Sequence, residues 1–450
     1  MSSYPAFPGP HGLPILGNLR QMNQDRLAFM MSNCQQYGDV VQLQLLGIHA
    51  YQVNRPDYIQ EILVHQADKF HKGPGLKRVG KATLGTGLLT SEDAAHKRQR
   101  QLVQPSFHHA RIAAYGDVMV DHTLRMLERW QGQPTVNIDR EMNRLTLGIV
   151  AKTLFDADVS DDADEIGTII TRAIHVASAQ VTKAGLFNWL PTRAKREREE
   201  GIAKLNSVIY GFIEERRRSG VDKGDLLSML LLSVDEQGGM STRQARDEAM
   251  TLFIAGHETT ANALAWTWYL LAQHPAVEAK LHQELDAVLA GRAPTAKELA
   301  NLPYTEMIIK ESMRLYPPAW LMSRRAVSDV TIDGKTFPKG TIFLMSQYVM
   351  HHDARYFPDP DAFLPERFTA DFEKNLPRYA YFPFGAGPRI CIGNGFAMME
   401  ARLILATMAQ RYQFALTTSD KVETEPLITL RPKQPIVMRV TERQPVAVMA

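Results

Sequence analysis

The residue best suited to bind a metal lies near the end of the chain, in a glycine-rich loop that reads FGAGPRICIG, Phe384 to Gly393. Glycines let a backbone approach a ligand closely, and the start of a helix just after the loop favours negative charge. Cys391 in this setting is suited to be a thiolate ligand, with Arg389 two residues before it. A free cysteine that packs as a small hydrophobic residue is the alternative.

Gly385 and Gly387 in the same loop also form the GxG pattern of a nucleotide-binding loop. The context argues against that interpretation, because the third glycine is misplaced and no strand–loop–helix unit surrounds the run. No acidic residue follows at about 20 residues either. The loop therefore favours metal ligation over nucleotide binding.

A carboxylate and a hydroxyl stand side by side in the longest apolar stretch, in the run FIAGHETTAN from Phe253 to Asn262. Glu258 and Thr259 could transfer protons, since such groups are suited to general acid–base chemistry. Gly256 costs about 1 kcal/mol relative to Ala inside a helix, so this position should have a reason for its glycine. Alternatively, Glu258 reaches solvent or a basic partner and Thr259 bonds back to its own helix.

Two further motifs pair polar or charged residues at helical spacing. Glu311 and Arg314 lie three residues apart in KESMRLYPP, upstream of PERF, Pro365 to Phe368. His96 and Arg100 lie four residues apart in AHKRQRQLVQPSF. Taken alone, the first pair is typical of a surface ion pair and the second of a solvated basic patch.

The elements that must position these residues are predicted to be mostly helices, with a minority of β-structure near both ends of the chain. GDVVQLQLLGIHAYQVN predicts a hairpin, helices dominate from about residue 56 to residue 315, and AVSDVTIDGKTFPKGTIFLM predicts short strands. One more helix is expected from about Gly393 to Tyr412, and the tail ITLRPKQPIVMRVTE is expected to form a final hairpin. This mix fits a helical lobe and a β-rich lobe that share a site.

The composition argues against several other classes of protein. The 450 residues carry 51 Lys+Arg against 49 Asp+Glu, and a net charge of +2 does not favour nucleic acid as a partner. Two cysteines, Cys34 and Cys391, cannot form a disulfide scaffold or a four-cysteine zinc site, and they fit a reducing cytoplasm. No signal peptide is expected, because the Pro- and Gly-rich N-terminus has no basic region followed by an apolar core. No membrane anchor is expected either, because Glu258 interrupts the most apolar stretch. Length alone would suggest two or three domains.

The run FGAGPRICIG closely resembles the haem-binding signature of the cytochrome P-450 superfamily, and the other three motifs resemble further motifs of that family in the same order. The resemblance covers essentially the whole chain. It implies one catalytic domain, residues 1–450, that is mainly α with a minor β lobe. Haem would lie between a long central helix and the cysteine loop, and a thiolate ligand would favour O–O cleavage.

The resemblance also implies roles for individual residues. Cys391 would be the metal ligand of haem b, while Thr259 and Glu258 would be catalytic, the first holding bound oxygen and the second relaying protons. Small residues at 255 and 256 would leave room for oxygen. The implied cofactor-binding residues are Cys391, His96, Arg100, Arg324, Arg389, Phe384 and Ala255.

Two of the implied roles concern charged side chains around the haem. Arg100, Arg324 and Arg389 would bind the haem propionates, although the adjacent Arg325 could replace Arg324. Glu311, Arg314 and Arg367 would form a structural triad behind the haem.

The expected function is a soluble, monomeric, cytoplasmic monooxygenase that hydroxylates or epoxidises a hydrophobic small molecule, such as a fatty acid, terpenoid or carotenoid. O2 would be one substrate, and electrons would come from a separate ferredoxin or flavodoxin with its NAD(P)H reductase, docked at Lys97 and Arg98. Residues 71–90, 170–190 and Pro317 to Met322 would line the substrate site.

A peroxygenase or isomerase that needs no external reductant is the alternative function, and a haem-bound sensor is a third possibility.

Overall fold

The computed structural model describes residues 4–159, 162–182, 193–232, 234–235 and 238–443. Helices account for most of this part of the chain, which confirms the predicted fold class. The α-helices are α1 (Leu19–Gln24), α2 (Arg26–Tyr37), α3 (Pro56–Gln60), α4 (Pro74–Leu84), α5 (Asp93–Val103), α6 (His109–Ala114), α7 (Gly116–Arg129), α8 (Ile138–Phe155), α9 (Ala163–Thr182), α10 (Arg193–Ser219), α11 (Leu226–Leu232), α12 (Thr242–Gln273), α13 (Pro275–Leu289), α14 (Pro303–Leu315), α15 (Gln347–His351), α16 (Ala370–Asn375) and α17 (Asn394–Arg411).

The strands form one larger sheet and several small ones. They are β1 (Val40–Leu45), β2 (Ile48–Val53), β3 (Phe70–Lys72), β4 (Thr135–Asn137), β5 (Val234–Asp235), β6 (Gly238–Gly239), β7 (Met322–Ala326), β8 (Val330–Ile332), β9 (Lys335–Phe337), β10 (Ile342–Met345), β11 (Tyr412–Leu416), β12 (Thr424–Pro426), β13 (Leu430–Pro432) and β14 (Val437–Glu442). The larger sheet has the order β1-β2-β10-β7-β3, with β10 parallel to β2. The predicted N-terminal hairpin therefore pairs with strands that come after the helical region.

The predicted hairpin at the C-terminal end is wrong. β13 pairs with β12, which precedes it, whereas β14 pairs with β11 and β4 in a different sheet. Pro435 lies between β13 and β14, and proline has no N–H to continue a ladder. At this point the chain passes from one sheet to another, and β13 packs against α12.

The central element is α12, which begins after Ser241, whose side chain accepts a hydrogen bond from the backbone N–H of Gln244. Its residues are buried around most of its circumference, as expected for a helix that is apolar on all sides. A Cβ atom at Gly256 would lie 3.1 Å from Val150 on α8, so close packing of two helices explains this glycine. This packing gives Gly256 a reason of its own, and the expected role in leaving room for oxygen stays a prediction. Within the described residues, no helix is long and apolar enough to cross a membrane.

A buried ion-pair network fixes the coil that precedes the cysteine loop. The guanidinium of Arg314 donates to both carboxylate oxygens of Glu311 at 2.7 and 2.8 Å, and Arg367 Nε lies 3.4 Å from Glu311 Oε1. Arg314 also donates to the carbonyls of His351, Pro360 and Ala362. The predicted contacts of the triad are confirmed, and their complete burial makes each partner necessary to the others.

Candidate active site

The cysteine loop is shaped by two glycines with left-handed backbone conformations. Gly385 has φ of +73° and Gly387 has φ of +66°, and a Cβ atom at Gly387 would lie 1.9 Å from the carbonyl oxygen of Leu63. Glycine is therefore required by both the conformation and the close approach. The backbone N–H of Cys391 donates to the carbonyl of Phe384 at 2.9 Å, which closes the loop just before α17.

Cys391 faces an accessible recess that is otherwise surrounded by protein. Its side chain is exposed, yet burial among neighbouring atoms raises the pKa of its thiol. The N–H of Gly393 and the charge of Arg100 lower that pKa, but they do not fully offset the burial. A bound metal would favour the thiolate, because a coordinating thiol is deprotonated.

Five basic side chains, the cation cluster, lie together beside this loop: Lys72, His96, Arg100, Arg324 and Arg389. Burial and then the other four charges lower the pKa of His96 to about 3, so its imidazole is neutral. Burial and then Arg389 lower the pKa of Lys72 to about 7, and the same two causes lower that of Arg324 to about 10. These shifts come mainly from burial, and the neighbouring cations add to them.

The cation cluster is assembled from separate elements. His96 and Arg100 lie on one face of α5, and Arg100 also donates to the carbonyl of Ile390 at 2.8 Å, next to Cys391. On β7, Arg324 is buried while Arg325 is exposed, because successive side chains of a strand point to opposite faces. Strand geometry therefore favours Arg324 over Arg325 as the arginine that would bind a haem propionate.

Arg389 has a carboxylate partner that the sequence did not predict. Its guanidinium forms an ion pair with Glu92 and donates to the carbonyl of Ser91 at 3.2 Å. Glu92 Oε1 accepts a hydrogen bond from the backbone N–H of Lys72 at 2.7 Å. Glu92 therefore ties the start of α5 to both β3 and the cysteine loop.

The chemistry of this donor set fits a haem. An accessible cysteine sulfur could bind iron, and the cation cluster holds more positive charge than Glu92 balances. A dianionic group such as the two propionates would compensate the cations, since buried like charges need an opposite charge nearby. Within the part of the chain that the structure describes, the implied cofactor residues His96, Arg100, Arg324, Arg389 and Cys391 are thus brought together.

On α12, Ala255 and Thr259 are partly exposed within a helix whose other residues are mostly buried, so they face a recess. The Thr259 hydroxyl donates to the Ala255 carbonyl at 3.0 Å, the back-bonding that the alternative interpretation described. Glu258 is buried and points elsewhere, since neighbouring helical residues lie about 100° apart. The acid and the alcohol are therefore adjacent in sequence but do not bond to each other.

The carboxylate of Glu258 binds residues from the C-terminal part of the chain. Glu258 Oε1 accepts hydrogen bonds from Thr429 Oγ1 at 2.9 Å and Asn262 Nδ2 at 3.0 Å, and Arg431 Nε lies 3.3 Å away. Arg431 is therefore the basic partner of Glu258 that the alternative interpretation described. Sequence patterns missed Lys72, Glu92, Thr429 and Arg431, because each comes from a short strand, loop or helix start with no motif.

The structure adds detail to two other expectations, which stay predictions. Within the predicted substrate wall Pro317 to Met322, Trp320 belongs to a buried core beside the larger sheet, and its Nε1 donates to the carbonyl of Leu427 at 3.0 Å. Arg98 is half-buried and donates to the carbonyl of Gly238 at 2.9 Å, whereas Lys97 is exposed. Of the predicted substrate wall 170–190, residues 183–190 lie outside the described residues.

Comparisons with known proteins agree with this geometry. The family described as cytochrome P-450 matches residues 7–439. Cyclooctatin synthase of Streptomyces melanosporofaciens is 38% identical over 94% of this chain and 92% of the relative, and cyclooctat-9-en-7-ol 5-monooxygenase of the same organism is 36% identical over 90% and 88%. Pentalenene oxygenase of Streptomyces avermitilis is 31% identical over 98% of this chain and 99% of that protein.

Proposed function

Because this chain belongs to the cytochrome P-450 family, we propose that it uses O2 and external electrons to oxygenate a terpenoid-like hydrophobic small molecule. The chain is a cytochrome P-450 monooxygenase, and its cofactor is a haem, for which we propose haem b. The observation that carries the proposal is the arrangement of Cys391 beside the cation cluster. That arrangement supplies one sulfur ligand and several cations to a single flat, dianionic cofactor.

We assign binding of the haem to residues of the cysteine loop, α5, β3 and β7. Cys391 would hold the iron, and Lys72, Arg100, Arg324 and Arg389 would bind the propionates by charge-assisted hydrogen bonds. His96, which is neutral in these surroundings, would donate one N–H to the same carboxylates. When bound, a thiolate-ligated haem supplies activation of O2 for insertion of one oxygen atom.

The residues of α12 would manage protons and exclude water. The Thr259 hydroxyl, held by the carbonyl of Ala255, would offer its hydrogen-bonding capacity to oxygen in the recess. The buried carboxylate of Glu258 would accept a proton arriving from solvent and pass it on. Phe384 is partly buried and packs against the helical core, so it would support the cysteine loop from the other side.

The substrate class is inferred from the names of the relatives. These names refer to an unsaturated alcohol and to pentalenene, and both are mainly hydrocarbon. We therefore favour a terpenoid-like hydrocarbon or alcohol over a fatty acid or carotenoid.

Electrons would come from a separate ferredoxin or flavodoxin with its NAD(P)H reductase. Of the two predicted docking residues, Lys97 keeps an exposed charge on α5, whereas Arg98 bonds to the turn before α12. We therefore assign docking of an acidic partner to Lys97 rather than Arg98. Charge reversal at Lys97 should slow reduction at low salt, and a rate unaffected by Lys97→Glu would place docking elsewhere.

The proposed function is tested by reconstituting the holoenzyme with a surrogate ferredoxin, its reductase and NADPH. A panel of terpenoid hydrocarbons and alcohols, fatty acids and carotenoids is first screened for changes in the haem spin state. The best ligand should then give an oxygenated product that contains one atom of labelled O2. Product formed with peroxide alone, and none with NADPH and partners, would instead favour the peroxygenase.

A further inference from the structure

The two carboxylate oxygens of Glu258 have very different surroundings. Oε1 receives hydrogen bonds from Thr429 and Asn262 and lies 3.3 Å from Arg431 Nε. Oε2 is also buried, but it has no hydrogen-bond partner among the described residues. An unpaired oxygen on a buried carboxylate is costly, and such groups are often retained for a functional reason. Oε2 is therefore the oxygen that is able to exchange a proton.

The cation that holds Oε1 is itself fixed at its other end. Arg431 lies on β13 and is largely buried, and its Nη2 donates to the hydroxyl of Thr171 on α9 at 3.1 Å. The arginine thus spans the space between α12 and α9. A planar guanidinium held at both ends restricts the rotation of the carboxylate that it binds.

The strand that carries Arg431 is anchored to the protein core. The backbone N–H of Leu430 donates to the carbonyl of Pro318 at 2.9 Å, and Trp266 Nε1 donates to the carbonyl of Leu430 at 3.2 Å. Trp266 itself is fully buried on α12. The flanking residues Thr429 and Arg431 are therefore presented to Glu258 from a fixed backbone.

We propose that Arg431 is the positioning residue of the proton-transfer step, because it holds Glu258 Oε1 together with Thr429 and leaves Oε2 to carry the proton. This inference rests on the proposed role of Glu258. An O–H bond of a hydronium ion from solvent breaks, leaving water, as the proton forms an O–H bond at Oε2. That bond breaks in turn when the proton passes to a water molecule on the Thr259 side of α12, which becomes hydronium. The carboxylate is then restored, and no atom changes oxidation state.

A purely structural role for Arg431 is the competing explanation. In that case the arginine only ties β13 to α12, through the ion pair with Glu258, and to α9, and its loss would destabilise the protein without affecting proton transfer. The two explanations differ in one respect. A positioning residue has no effect on proton transfer once its carboxylate has been removed.

The test compares holoenzyme variants Arg431→Ala, Arg431→Lys, Glu258→Gln and the double variant Arg431→Ala/Glu258→Gln. Rates of NADPH-linked O2 consumption are measured in H2O and D2O with the surrogate partners and the best ligand of the screen. The matched control is Arg439→Ala, which replaces an exposed arginine on β14, the next strand in the chain. The spectrum of the reduced CO complex and the unfolding temperature report whether each variant retains its haem site and fold.

We expect Glu258→Gln and Arg431→Ala each to slow the reaction about tenfold and to increase the solvent isotope effect. The double variant should be no slower than Glu258→Gln, Arg431→Lys should recover most of the rate, and Arg439→Ala should match the wild type. Arg431→Ala should also lower the unfolding temperature less in the Glu258→Gln background than in the wild type.

Two results would overturn the proposal, and they are distinguishable. If Arg431→Ala slows the Glu258→Gln enzyme by a further tenfold, or if both unfolding shifts are equal, Arg431 acts independently of Glu258. If Glu258→Gln leaves the rate and isotope effect unchanged, Glu258 does not carry protons and the proposed function must be revised as well. If Arg431→Ala does not fold, the milder variant Thr429→Ala is measured instead, with the same rates, isotope effects and unfolding temperatures.

Discussion

The carboxyl group of Glu400 offers a quantitative test of how the helices behind the active site pack together. Glu400 is fully buried on α17, and burial raises the pKa of its carboxyl well above the usual range. The nearby Thr260 hydroxyl on α12 lowers that pKa and only partly offsets the burial. In the folded protein the group therefore keeps its proton where an exposed glutamate has lost it.

The sign and size of the effect follow from proton linkage. An unfolded glutamate ionises with a pKa of about 4.3, so above that pH the folded state binds one more proton than the unfolded state. The stability that this group contributes is complete below about pH 4.3 and falls as pH rises toward the folded pKa. Between the unfolded and the folded pKa, the loss is about 1.4 kcal/mol per pH unit.

The variant Glu400→Gln removes the titration while keeping the shape of the side chain. Urea unfolding at pH 5, 6 and 7, followed by far-ultraviolet circular dichroism, gives the difference in unfolding free energy between Glu400→Gln and the wild type. We expect this difference to shift in favour of the variant by about 1.4 kcal/mol per pH unit. Glu128→Gln, an exposed position on α7, should show no such slope. A pH-independent difference for Glu400→Gln would refute the reasoning.

Three further predictions concern the ion pairs and cations around the site. Glu311→Ala leaves Arg314 as an uncompensated buried charge, so it should cost about 3 to 5 kcal/mol of unfolding free energy in urea, and a change below 1 kcal/mol would contradict the role of the network. Arg324→Ala should speed transfer of haem to a scavenging protein about tenfold, whereas Arg325→Ala on the opposite face of β7 should not, and equal effects would reverse the assignment. Lys72→Ala would remove the proposed charge-assisted hydrogen bond to a propionate, worth about 1.5 to 3 kcal/mol, so haem transfer should be roughly 10- to 100-fold faster. Lys72→Arg should recover part of the loss, and a wild-type rate in Lys72→Ala would exclude Lys72 from the cofactor site.

The features that the sequence predicted share one property, which is that local pattern determines them. The cysteine loop has two positions that only glycine fills comfortably, and the charges of Glu311 and Arg314 lie one helical turn apart. Periodicity likewise predicted α12 and the hairpin of β1 and β2. Such features depend on neighbours in sequence, so they are visible without the fold.

The features that could not be predicted from the sequence depend on contacts between distant parts of the chain. Glu258 meets Arg431, which is 173 positions later, because β13 pairs with β12 instead of β14. Lys72 joins the cation cluster from an edge strand where a lysine is usually solvated. No local pattern distinguishes either residue from an ordinary surface cation.

The most direct test of the central claim is the ligand of the haem iron. Wild-type holoenzyme and Cys34→Ser should both give the thiolate-type spectrum of the reduced CO complex, because Cys34 lies outside the active site. Cys391→His should lose that spectrum and show one typical of an imidazole ligand. A thiolate-type spectrum that survived Cys391→His would contradict the assignment of Cys391 and the active site built around it.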